Sequence, residues 1–126
     1  MMEQYLYMIT IINIFTKEHY IKLGYSANIE QRIKQLEKGN KYFEIQSIKL
    51  YRHKTKNIGY FFDEQIIHNE NATNRTRFTK DVMPLGRTEC YESFYCHELL
   101  SSLSRLGYIC VFDTDEEANE PMFVWA

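Results

Sequence analysis

No stretch of this 126-residue chain approaches the roughly 18 consecutive apolar residues that a membrane-spanning helix needs. The most apolar segment, Tyr5 to Phe15, is interrupted by Thr10 and Asn13. A basic N-terminal stretch is missing as well: the chain opens on two methionines and Glu3, and the sequence predicts no signal peptide. Two prolines and five glycines exclude collagen-like and low-complexity chains. Cysteine is both scarce and odd in number, and Cys90, Cys96 and Cys110 form no C-x-x-C pair. That excludes a disulfide framework and points to a reducing, cytoplasmic setting. The spacing of these cysteines with His97 matches none of the usual zinc patterns, so they read as small core residues.

An excess of positive charge is also absent. The net charge is −2, which taken alone argues against a nucleic-acid binder. The distribution is uneven, however. Residues 1–60 hold ten Lys/Arg against five Asp/Glu, whereas residues 90–126 hold one against seven. A basic front of this kind can present one positive face to a polyanion.

What the chain does have is apolar and aromatic material, 44% and 15% respectively, enough for the core of one domain. Residues 4–12 are rich in β-branched and aromatic types and predict a buried strand, with Tyr5, Tyr7 and Ile9 on one face and Leu6 and Met8 on the other. Polar residues then turn the chain, and Tyr20–Tyr25 reads as the return strand of a hairpin. Residues 26–38 predict a helix with Asn28 as N-cap, Gln31 as its capping partner, and an apolar stripe of Ile29, Ile33 and Leu36. A third strand over Phe43–Tyr51, a basic loop over His53–Asn57 and a helix from about Ile58 to Asn69 follow. Residues 70–88 read as a long surface loop, residues 91–106 as a third helix closed by Gly107, and Tyr108–Phe112 as a last strand. The expected fold is a small α/β or α+β domain over residues 1–112, with a mostly antiparallel sheet flanked by helices. Residues 113–126 read as an acidic, then apolar, C-terminal tail.

The most informative cluster is Tyr7, Lys22, Gly24, Tyr25 and Arg32. A hairpin puts Tyr7 and Lys22 on neighbouring strands. At about 100° per residue, Arg32 lies some 40° from Leu36, at the edge of the buried stripe. A guanidinium there is partly desolvated and requires an anion, either a carboxylate of the protein or a phosphate from a ligand. Glu64 and His68 share one helix face, a spacing that also suits a solvated face. Arg75, Arg77 and Lys80 stand in the long loop, where they suit a nucleic-acid backbone or simply solvent.

YLYMIT followed by YIKLGYSANIEQRIKQL resembles the core of the GIY-YIG nuclease superfamily, particularly phage-type members with KIG in place of YIG. In that resemblance YLY stands at the GIY position and KLG at the YIG position. Ser26 and Arg32 match the following Ser/Thr and the helix arginine. DEQIIH, with Glu64 and His68, resembles the later E…H helix, and GRTECY resembles a "g.tEwF" element. The similarity spans residues 4–92. Tyr5 replaces the first glycine, the hairpin loop is longer than usual, and no late asparagine is recognisable.

The resemblance implies Mg²⁺- or Mn²⁺-dependent hydrolysis of nucleic-acid phosphodiester bonds, DNA in preference to RNA, by a protein encoded by a phage or mobile element. It would act in the cytoplasm, the host's if phage-encoded. Glu64 would hold the single hard cation, with Glu89 as competitor for that role. Tyr7 would orient or deprotonate the attacking water. An ordinary phenol, with a pKa near 10, is a weak base, so positive charge from Lys22 or the metal would be required. Arg32 would stabilise charge on the phosphoryl oxygens, and His68 would bind phosphate or protonate the leaving group. Tyr25, Ser26, Arg75 and Arg77 would contact the nucleic acid. The apolar tail suits a homodimer or a protein partner. The acidic C-terminal third supports an alternative: a catalytically silent relative that inhibits or modulates a host nucleic-acid-handling protein.

Overall fold

The computed structural model describes residues 3–115. They form a six-stranded antiparallel sheet and three helices. The strands are β1 (Tyr5–Asn13), β2 (His19–Ser26), β3 (Phe43–His53), β4 (Arg75–Thr76), β5 (Cys90–Glu92) and β6 (Tyr108–Asp113). The helices are α1 (Ile29–Gly39), α2 (Tyr60–Glu70) and α3 (Cys96–Arg105). Spatial order is β4-β5-β2-β1-β3-β6, so β1 is central and covered on both faces. Its alternation follows the expected division. Leu6 and Met8 pack with Ile67 of α2 and with Leu99 and Leu103 of α3. Tyr7, Ile9 and Ile11 pack on the other face with Leu36 of α1 and with Met83. The sheet is thus the middle of three layers.

Local chemistry accounts for the first half of the fold. The Asn28 side chain accepts from the Gln31 amide at 3.3 Å and donates to its side chain at 3.2 Å, capping α1 as its sequence predicts. The helix begins at Ile29, because Ser26 still pairs with Tyr5 at the end of β2. The Asn13 side chain accepts from the amides of Phe15 and Thr16, and Lys17 takes φ 65°, closing the hairpin.

The second half departs from expectation. Tyr91 is not helical: Cys90, Tyr91 and Glu92 form a strand paired to Lys22, Ile21 and Tyr20 at the free edge of β2. Cys90 and Tyr91 are consecutive and both fully buried, on opposite faces of the sheet, which a strand permits. The helix begins only at Cys96. The long loop is interrupted by a 3-10 turn at Ala72–Asn74 and by β4, which pairs with β5. The expected basic loop begins one residue late, because β3 includes His53. Asp113, counted with the tail, closes β6, and the Thr114 hydroxyl oxygen accepts from the Ile48 amide at 2.9 Å. The rest of the acidic run and the apolar end, 116–126, lie outside the described residues.

Candidate active site

Register on the central hairpin builds the first part of the site. Tyr7 faces Gly24, and Ile9 faces Lys22. Lys22 and Gly24 lie two residues apart and therefore share a face of β2. An added Cβ at Gly24 would fall 2.3 Å from both Cζ and the hydroxyl oxygen of Tyr7. Only glycine lets the Tyr7 ring lie across β2 and deliver its hydroxyl to Lys22. There the oxygen accepts from Lys22 Nζ at 3.1 Å and from Arg32 Nε at 3.3 Å. A phenol oxygen that accepts two hydrogen bonds must turn its own proton away from both cations.

Lys22 is 1% exposed, so its charge needs a partner. It has one in Glu89, which arrives from the loop before β5 and forms an ion pair with Nζ. Burial alone lowers the Lys22 pKa, but Glu89 and Tyr7 more than reverse it, and the ammonium stays charged. The loop is docked by the Leu23 amide, which donates to the Glu89 carbonyl at 3.0 Å. Gly86, at φ 76°, makes room: a Cβ there would stand 2.2 Å from Lys22 Cε. Arg32 is half-buried and has no carboxylate within 4.0 Å among the described residues. Burial lowers its pKa and the Tyr7 hydrogen bond and charge raise it, with a net upward shift.

The second part comes from α2, whose Glu64 and His68 are buried, not solvated, on the face turned to the sheet. His68 Nε2 lies 3.0 Å from the Leu23 carbonyl and Nδ1 2.7 Å from the Tyr91 hydroxyl. A carbonyl can only accept, so Nε2 carries a proton, and in the neutral imidazole Nδ1 accepts from the Tyr91 hydroxyl. Burial lowers the His68 pKa in agreement with that tautomer. Glu64 Oε1 accepts from Gln65 at 3.0 Å, while Oε2 is 4.0 Å from His68 and makes no hydrogen bond among the described residues. Burial, seconded by Glu89, pushes the Glu64 pKa up to about 7, against the pull of Gln65, Lys22 and Arg32. Tyr7, Lys22, Arg32, Glu64 and Glu89 thus form one electrostatic neighbourhood, linked by hydrogen bonds or by mutual shifts in ionisation.

The T5orf172 domain model matches residues 4–105, a span containing every one of these side chains. The chain belongs to this family. T5orf172 is a phage-associated domain. No curated protein and no solved structure matches the chain.

Within this T5orf172 domain the remaining predicted residues stand apart from the hydroxyl cluster. Tyr25 packs edge-on against Phe61 at 6.0 Å between ring centres. Ser26 is buried, and its Oγ accepts from the Asn28 amide at 2.9 Å in the turn between β2 and α1. Arg75 and Arg77 line a cleft beside β4. Two residues went unread in the sequence. Tyr91 fixes the His68 tautomer, and Gly86 accommodates Lys22. The glycine and Glu89 sit in the GRTECY segment, but nothing local marks their shared contact with Lys22. Among the described residues no group of three or more His, Cys, Asp or Glu forms a metal cage. The donor set is a single carboxylate: Glu89 is committed to Lys22, and Glu64 keeps one oxygen for another ligand. That suits a hard cation held by one carboxylate and completed by water and phosphate oxygens.

Proposed function

We propose that this T5orf172 domain is a metal-dependent endonuclease that hydrolyses phosphodiester bonds of nucleic acid, DNA in preference to RNA. The observation that supports it is the Tyr7 hydroxyl, held by Lys22 and Arg32, two cations whose charge also reaches the half-engaged carboxylate of Glu64. The ordered resemblance of YLY, KLG, Arg32 and DEQIIH to the GIY-YIG superfamily supports the same reading.

In this mechanism the Tyr7 proton, directed away from the two cations, orients the attacking water. Lys22 and Arg32 hold the phenol oxygen in place, so that this O–H donates to the water oxygen, while the proton the water loses passes to solvent. Arg32 uses Nε for Tyr7, leaving its terminal nitrogens for the phosphoryl oxygens, where charge develops. Glu64 would hold Mg²⁺ or Mn²⁺, which supplies Lewis-acid stabilisation of the phosphate. His68 has both nitrogens engaged, so its role shifts from proton donor to positioning: it ties α2, and with it Glu64, to β2.

The acidic balance of residues 90–126 supports a second reading, a silent relative that binds a host nucleic-acid-handling protein. One assay separates the two. Supercoiled plasmid, single-stranded DNA and RNA are incubated with and without Mg²⁺ or Mn²⁺. Cleavage that stops with EDTA, and in folded Tyr7→Phe and Arg32→Ala variants, is expected. A folded protein that cuts none of them under either metal overturns the nuclease reading.

A further inference from the structure

Two surface features near this site have no part in the chemistry. The first is a cleft of about 160 Å³ lined by Arg75, Thr76, Arg77, Phe78, Arg87 and Thr88. Among the described residues none of its three guanidinium groups has a carboxylate within 4.0 Å. Arg75 donates to the Thr88 carbonyl at 3.2 Å, which ties β4 to the loop that carries Glu89. Three like charges in so small a space repel unless an anion joins them.

The second feature is the mixed polarity of α2, which buries Tyr60 and Ile67 in the core. This helix buries Asp63, Glu64 and His68 and exposes Phe61 by 48% and Phe62 by 70%. Tyr25, Phe61 and Phe62 form a chain of edge-on rings, with centres 6.0 and 5.7 Å apart. Exposed aromatics beside buried carboxylates are the reverse of what burial favours, and here they form a ledge that begins one helical turn from Glu64.

Register places both features relative to Lys22. Thr76 pairs with Cys90, and Cys90 with Lys22, so the cleft lies two strand spacings away, roughly 10 Å. Tyr25 is three residues further along β2, again roughly 10 Å, in the perpendicular direction. Measured between backbone positions in the plane of the sheet the two are about 14 Å apart, a span that a few nucleotides of one strand cover.

We propose that the site takes unpaired nucleic acid: a single strand whose phosphates engage Arg75, Arg77 and Arg87 and whose bases stack on Tyr25, Phe61 and Phe62. The proposal rests on the nucleolytic reading for its polyanion, and the cleft supplies the complementary charge. Stacking on exposed rings requires open base faces, which a duplex keeps closed.

Binding is measured by fluorescence anisotropy in EDTA, which keeps cleavage out of the readout. The probes are labelled oligo(dT), oligo(U), a duplex of equal length and an abasic strand of equal charge. Oligo(dT) or oligo(U) is expected to bind at least tenfold more tightly than the duplex. The double variant Phe61→Ala/Phe62→Ala should weaken that binding on the order of tenfold or more and leave the abasic strand unaffected. Arg77→Ala/Arg87→Ala should weaken every probe and flatten the dependence on log salt for the single strands by about 0.7 per lost contact. Equal or tighter duplex binding overturns the proposal, as does a phenylalanine variant that loses abasic and oligo(dT) binding alike. A dimer that Phe62→Ala dissociates, with strand affinity unchanged, assigns the ledge to a second copy and overturns it too. Preferential single-strand binding without cleavage in Mg²⁺ would remove the nuclease reading and leave this one standing.

Discussion

Replacing Glu64 by glutamine should stabilise the protein at alkaline pH while abolishing the proposed nuclease activity. Glu64 is 3% exposed, and its pKa rises from an ordinary 4.5 to about 7, chiefly through burial. The folded protein therefore retains a proton that the unfolded chain releases between those two values. Below about pH 4.5 both states hold the proton and nothing is lost. Through the interval the unfolded state gains, and above about pH 7 the penalty on folding is complete. At 1.36 kcal/mol per pH unit the full penalty is about 3 kcal/mol, as an order of magnitude. Glutamine keeps an acceptor for Gln65 and carries no charge. Glu64→Gln should thus be little different from wild type near pH 5 and more stable by about 2–3 kcal/mol near pH 8.5. Urea unfolding across that range measures the difference directly. A divalent cation should restore stability to the wild type above pH 7 and do little for the variant, since only the carboxylate offers it a ligand. A variant less stable than wild type at pH 8.5, or a stability difference independent of pH, would refute the reasoning.

Other outcomes follow from the same geometry. Glu89→Gln leaves the Lys22 ammonium buried without its counter-charge. Because Glu89 is only partly buried, the cost should fall at the low end of the range for broken buried pairs, about 3 kcal/mol by chemical denaturation. Pairing it with Lys22→Met should recover much of that stability but no activity, whereas an unrecovered double variant would show that the ion pair is not what the loop needs. Gly24→Ala and Gly39→Ala both introduce tight Cβ contacts, at 2.3 Å with Tyr7 and at 2.6 Å with Leu85. Each should destabilise by about 1–3 kcal/mol, but only Gly24→Ala should reduce cleavage, by on the order of a hundredfold, since it displaces the phenol. Equal losses of cleavage in the two would mean that general overpacking, and not Tyr7 placement, controls the rate.

The first half of the chain was legible because its determinants are local. Alternation in β1 sorts Tyr7 from Leu6, the Asn28–Gln31 pair starts α1, and Lys22 and Gly24 at a spacing of two share the Tyr7 face. Each of these follows from the period of a strand or the open amides of a helix end, so the residues themselves specify them. The remainder was settled in three dimensions. The Tyr91 segment carries an apolar pattern that a helix or a buried strand can use, and pairing with the free edge of β2 decides for the strand. Lys22 and Glu89 are 67 residues apart, and no local spacing announces their contact. That one pairing separates the two candidate carboxylates: the same β5 docking that gives Glu89 to Lys22 leaves Glu64 an oxygen to offer, and brings Tyr91 to His68. Sequence periodicity set the elements and the faces of their side chains, whereas the ionisation and partners of the buried charges came from burial and from contacts across the sheet, which exist only once the chain has closed.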